Sequence, residues 1–366
     1  MGFNCGIVGL PNVGKSALFN ALTATEAAEA TKYPFSTREA NVGRVAVPDE
    51  RLQVCARLAK SVKIVPTQLE FVDIAGLVRG ASKGQGLGNQ FLGHLREVDA
   101  IAHILRCFED DNIVHVEGSV DPIRDAETVE TELMLADLDS LERRIVALEK
   151  RVRGGDKEAR SLLAVIEPVL AGLQDGVPAR RVALAPEQQA ELKTLQLLSA
   201  KPMLYIANVD EAAAASGNPL SARVADYAAT QNSPAVTISA AIEAELAMLA
   251  DPGEKAEFLA ALGLGETGLA QVIGVGYTLL DLITFLTAGP KESRAWTITR
   301  GTKAPQAARV IHSDFEKGFI RAETIAYADF VACNGEQGAK DAGKMRLEGA
   351  EYVVHDGDVM HFRFNV

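Results

Sequence analysis

The chain has 366 residues, which is long for one ordinary domain, and its 48% apolar and 23% charged residues are the make-up of a water-soluble globular protein. A net charge of −12 argues against broad non-specific nucleic-acid binding and against specificity for DNA. No apolar run spans a membrane, because the longest candidate, residues 272–289, is interrupted by Asp281.

The opening "MGFNCGIVGL" has no basic stretch of the kind that begins a signal peptide, and Gly6 stands where myristoylation needs Ser or Thr. "FNCGIVGL" reads as a strand, "GKSALFNAL" opens a helix, and "GRVAVP" and "TQLEFVDIAG" are further strands. "AIAHILRCF", "KPMLYIANV" and "SPAVTISA" follow as short apolar runs bounded by turns. Strands joined by helical crossovers predict an α/β domain with a mainly parallel sheet covered on both faces. Cys5, Cys55, Cys107 and Cys333 are scattered and form no CxxC, which predicts structural thiols in a reducing cytoplasm.

Between about 122 and 200 the alternation stops. Met134, Leu138, Leu141, Ile145, Leu148 and Val152 repeat at spacings of four and three. "RGGD" supplies a turn, and Leu162, Ile166, Val169 and Leu173 resume the spacing. An antiparallel helical hairpin inserted in the α/β domain is predicted, serving either as an arm for a partner or as a structural insertion. From residue 278 onward, β-branched and aromatic segments alternate with Gly-rich turns around the helical "APQAARVIH". This predicts a separate small α+β unit over 278–366, after a first domain over 1–277. The C-terminal unit is nearly neutral, 11 Lys and Arg against 12 Asp and Glu, so it is the less repulsive face for RNA. Lys340, Lys344 and Arg346 are its candidate contacts, or simply a solvated basic loop.

"GLPNVGKS" supplies the sharpest chemistry. Gly9-x4-Gly14-Lys15-Ser16 lies between a strand and a helix, the setting of a phosphate-binding P-loop. Its glycines let the backbone N–H groups over Asn12, Val13, Gly14, Lys15, Ser16 and Ala17 curl around phosphate oxygens. Lys15 is expected at the β/γ oxygens and Ser16 on Mg²⁺. Asp73 and Gly76 form a D-x-x-G at a strand end, with Asp73 on the metal, and Thr37 sits where a switch loop meets Mg²⁺. Asn12 occupies a position that holds K⁺ in some GTPases; it also suits the turn.

Leu77 stands where many GTPases place a water-orienting Gln, so that task falls to another residue or to a partner. His94, His103 and His115 are the local candidates. His103, in an apolar strand, reads as a satisfied core histidine, and His115 beyond the strand end is better placed for catalysis.

The base site departs from Asn-Lys-x-Asp. Asn208 is kept, Val209 replaces the Lys, and Glu211 replaces the Asp, with Ser239 and Ala240 as the second wall. An Asn amide suits the N6/N7 edge of adenine, whereas Glu211 is one methylene too long for guanine's donors. Glu211, or Asp210 after a one-residue slip, is the alternative that keeps guanine.

These residues, with "FVDIAGLVRGASKGQGLGNQFL", "RCFEDDNIVHV", "KESRAWTI" and the final "DGDVMHFRFNV", resemble the YchF subfamily of Obg-like ATPases nearly end to end. The resemblance implies a G domain with a coiled-coil insertion and a C-terminal TGS domain of β-grasp type. It also implies ATP hydrolysis in preference to GTP, association with the ribosome, and His115 in place of the missing Gln. Ala17 departs from the Thr common in the family, while the metal ligand Ser16 is retained.

Overall fold

A computed structural model describes residues 3–29, 42–74, 87–249 and 251–365. Thr37, Gly76 and Leu77 lie outside the described residues. The chain divides into two compact units, one formed by 3–45 with 70–275 and the other by 46–69 with 276–366.

The first unit is built on a six-stranded sheet. Its strands are β1 (Asn4–Val8), β2 (Val42–Ala46), β4 (Gln68–Asp73), β5 (Ala100–Arg106), β6 (Met203–Asn208) and β7 (Ala235–Ile238), in the order β2-β4-β1-β5-β6-β7. The run from β4 to β7 is parallel throughout. All seven residues of β5 and all six of β6 are buried, which fits their mainly apolar character, with His103, Arg106 and Asn208 as the buried polar exceptions.

The insertion begins with a 32-residue helix, Pro122–Arg153. Asp121 caps it, accepting from the Ile123 and Arg124 N–H groups, and Pro122 takes the first position, where no N–H is required. Gly155, at φ +87°, turns the chain into helix Lys157–Gln174, capped by Asp156. The predicted apolar stripes meet: Leu141 and Leu148 pack with Ile166, Val169 and Leu173. A third helix, Pro186–Thr194, adds Leu192 to the same cluster, so the insertion is more than the predicted two-helix hairpin. At its base, Asp137 accepts from Leu198 N (2.9 Å), Ser199 N (2.8 Å) and Ser199 Oγ (2.6 Å).

The second unit holds the other sheet, comprising β3 (Lys63–Val65), β8 (Leu282–Ala288), β9 (Glu292–Thr299), β10 (Phe319–Ala326), β11 (Arg346–Glu348) and β12 (Asp358–Phe364), ordered β11-β10-β12-β8-β9-β3. Helix Ala304–Ile311 covers one face, its alanines against Phe285 and Phe362. Leu52 and Cys55 of helix Glu50–Ala59 cover the other, against Leu286, Ile325 and Phe330. Residues 46–69 therefore depart from the sequence expectation, which placed them in the first domain. Their helix buries its apolar side on the C-terminal sheet, and β3 pairs with β9. Among the described residues no helix is long and apolar enough to cross a membrane.

Candidate nucleotide site

The phosphate loop follows β1 and leads into helix Lys15–Glu29, whose first-turn N–H groups are an anion site by construction. Two residues of the loop have left-handed backbone, Asn12 at φ +65° and Gly14 at φ +96°. At Gly14 this conformation excludes other residues for a second reason, since a Cβ there would collide with the Asn208 amide. Lys15 is ion-paired with Asp73 at the end of β4.

A cavity of about 1030 Å³ opens beside the loop. Asn12, Gly14, Lys15, Ser16 and Ala17 line its phosphate end. Asn208, Val209, Glu211 and Ala240 also line it, with Asn208 packed directly against the loop at Gly14. Val13 is buried and contributes its carbonyl from behind, and Ser239 caps helix Ala240–Met248. Ser16 is exposed at the helix start and Asp73 is ion-paired with the adjacent residue, Lys15; a hydroxyl and a carboxylate are both hard oxygen donors. That donor set fits Mg²⁺, which binds through one or two protein oxygens plus phosphates and water.

Asn208 has a role that the sequence reading missed. It is 3% exposed; its Nδ2 donates to Val13 O (2.8 Å), and its Oδ1 accepts from Ala240 N (2.9 Å). The amide thus braces the phosphate loop against the second wall, with one N–H and one lone pair left over. Val209 is buried, Glu211 is exposed, and Asp210 Oδ1 accepts from Ala213 N (2.9 Å), capping a short 3-10 turn.

His115 lies beyond the end of β5, as the sequence reading placed it, but its ring is turned to other partners. It does not line the cavity, and both ring nitrogens are engaged. Nδ1 accepts from Glu117 N (3.1 Å), so Nε2 carries the proton and donates to Asp125 Oδ2 (2.8 Å) in the first turn of Pro122–Arg153. In this conformation it is a buried, paired histidine. The neighbouring carbonyl of Val114 accepts from Asn12 Nδ2 (3.0 Å), tying the phosphate loop to the same segment. His103 is buried in β5 as expected, yet neither ring nitrogen has a hydrogen-bond partner among the described residues, and burial pushes its pKa down to about 4.

Arg106 and Phe108 were also missed. Arg106 is buried at the end of β5 and donates to three backbone carbonyls, those of Phe108 (3.0 Å), Asp110 (3.2 Å) and Ile113 (2.8 Å). Its guanidinium lies 4.7 Å from the Phe108 ring centroid. The loop is wrapped around this cation, and it presents Phe108, Asp110 and Ile113 to the cavity. No local spacing announces such a residue, because its partners are carbonyls of any sequence.

Residues 4–150 match a family model described as a 50S ribosome-binding GTPase, and residues 282–365 match the YchF GTPase C-terminal model, described as a protein of unknown function. The chain is 58% identical, over the full length of both proteins, to a Haemophilus influenzae protein named ribosome-binding ATPase YchF. The chain belongs to the YchF family. A Bacillus subtilis YchF protein of the same name is 54% identical, again over the whole of both chains. The solved structure of the Schizosaccharomyces pombe YchF GTPase matches with TM-score 0.89 at 37% identity, covering 99% of this chain and 97% of that one. The YchF fold thus accounts for both units, and the first is a P-loop nucleotide-binding domain of α/β class.

Proposed function

We propose that the chain is a cytoplasmic, nucleotide-dependent switch that hydrolyses ATP to ADP and phosphate, prefers ATP to GTP, and works on ribosomes or translation-related complexes. The names of its full-length relatives support the activity and the ribosomal partner. The preference for adenine rests on one observation, the placement of the carboxylates beside the base wall. Glu211 occupies the position of the guanine-reading Asp, and Asp210 already has Oδ1 engaged by Ala213 N. Guanine's N1–H and N2–H₂ donors then lack a set acceptor, a deficit of about 1–3 kcal/mol, or roughly tenfold or more in affinity. Adenine has no such donors to satisfy there.

In this reading Lys15 exchanges Asp73 for the β/γ oxygens, and Ser16, Asp73 and Thr37 hold Mg²⁺. Mg²⁺ held there would supply positive charge to offset the phosphate oxygens. The Oδ1 of Asn12 is the candidate oxygen for K⁺. For His115 to orient the attacking water, one ring nitrogen must first leave its present partner, the Asp125 carboxylate or the Glu117 N–H, so the reading requires a rearrangement of that segment. A competition between ATP and GTP for the purified protein tests the base preference, and tighter GTP binding sinks it in favour of a GTPase translation factor. Ribosome co-sedimentation of Lys15→Ala tests the switch: unchanged association in every nucleotide state marks a constitutive RNA or protein adaptor instead.

A further inference from the structure

The charge of the helical hairpin is sharply divided along its length. Residues 122–142 carry seven Asp and Glu against Arg124 alone, whereas residues 143–160, at the tip, carry seven Lys and Arg against Glu149, Asp156 and Glu158. A tip of net charge +4 therefore stands on an acidic stem, in a chain whose total is −12.

Helix stability explains only part of this. Lys150, Arg151 and Arg153 end the long helix, where cations favour the macrodipole. Lys157 and Arg160 open the next helix, where the same dipole disfavours them. Internal pairing also leaves a remainder. Arg143, Arg151 and Arg153 pair with Asp139, Asp156 and Glu149, but Arg144, Lys150, Lys157 and Arg160 have no ion pair among the described residues, and all four are exposed. They stand to either side of a turn made by Gly154 and Gly155, which puts no side chain in the way of an approaching surface.

We propose that this tip is a phosphate-binding element that seats on the backbone of duplex RNA in the ribosome, with Arg144, Lys150, Lys157 and Arg160 as its contacts. The proposal rests on the ribosomal reading given above. Four cations on the last three turns of one helix and the first turn of the next, with no aromatic or amide side chain between them, suit phosphates and shape rather than base edges. The acidic stem repels the same polyanion, so RNA is met end-on by the tip and not along the arm.

The test is a variant carrying Arg144→Gln, Lys150→Gln, Lys157→Gln and Arg160→Gln, beside a control with Lys60→Gln, Lys193→Gln, Arg300→Gln and Lys317→Gln at exposed sites elsewhere. Circular dichroism and basal nucleotide hydrolysis should match the parent for both. Co-sedimentation with purified ribosomes, and anisotropy of a labelled 20-base-pair RNA duplex, are followed from 50 to 200 mM salt. The tip variant should bind both at least tenfold more weakly, with a slope of log K against log salt flatter by roughly three, about 0.7–0.9 for each phosphate no longer neutralised. Unchanged binding and slope, or an equal loss in the control, overturns the proposal. Loss on ribosomes with the duplex unaffected also overturns it, by marking a ribosomal protein as the partner. If the parent does not sediment with ribosomes, the ribosomal reading fails, and the duplex measurement decides the tip alone.

Discussion

Asn208 joins the Val13 carbonyl to the Ala240 N–H, so truncating it leaves two buried backbone groups unmet at once. Asn208→Ala should destabilise the protein by about 1–3 kcal/mol and weaken nucleotide binding at least tenfold, seen as a lower melting temperature and a shifted titration. Gly14→Ala should be worse for binding than for stability, because left-handed backbone and the collision with Asn208 both distort the loop that holds phosphate. His103 supplies the pH dependence. Its native pKa of about 4 lies below the ordinary value near 6.5, so between those values the unfolded chain binds a proton that the native chain excludes. Stability is therefore lost as pH falls through that window. His103→Leu should flatten the loss in urea midpoints taken at pH 7 and pH 5. The motif residues were legible because phosphate chemistry fixes their spacing. Arg106 and the Asp125 partner of His115 were not, since the one binds carbonyls and the other pairs across a loop.

At the scale of elements, the insertion is anchored by polar groups as much as by its apolar seam. Glu130 of the long helix accepts from Tyr205 of β6 (2.5 Å), from Tyr227 (3.1 Å) and from Arg180 (2.6 Å). Further along, Asp137 holds the returning chain at Leu198 and Ser199. Burial raises the Asp137 pKa despite these bonds. Asp137→Ala should cost about 2–4 kcal/mol by leaving several buried donors unmet. Limited proteolysis should then cut first within 175–200, and a melt unchanged from the parent would refute the anchoring role. The seam itself was legible as a heptad repeat. The anchors were not, because their partners lie 50 to 97 residues away.

Across the whole molecule, the alternation of strands and helices announced the parallel sheet, and the change of texture near 278 announced a second unit. What periodicity could not announce was that residues 46–69 fold with that second unit, since only tertiary burial decides which sheet a short amphipathic helix covers. A chain ending at residue 277 should accordingly expose Leu52 and Cys55, bind a hydrophobic dye and aggregate, although its P-loop is intact. Buried Cys5, Cys55 and Cys107, each with its thiol pushed up to about 12, should resist alkylation at neutral pH until the chain unfolds.

The long helix of the insertion has a mechanical meaning. It runs unbroken for 32 residues, and its first turn grips His115 while the adjacent carbonyl is held by the phosphate loop. A rod of that length is about 48 Å at 1.5 Å per residue, so a tilt of about 5° at its root sweeps its far end through about 4 Å. A change in the phosphate loop that tilted the helix by that angle would be geared up into a displacement longer than a hydrogen bond.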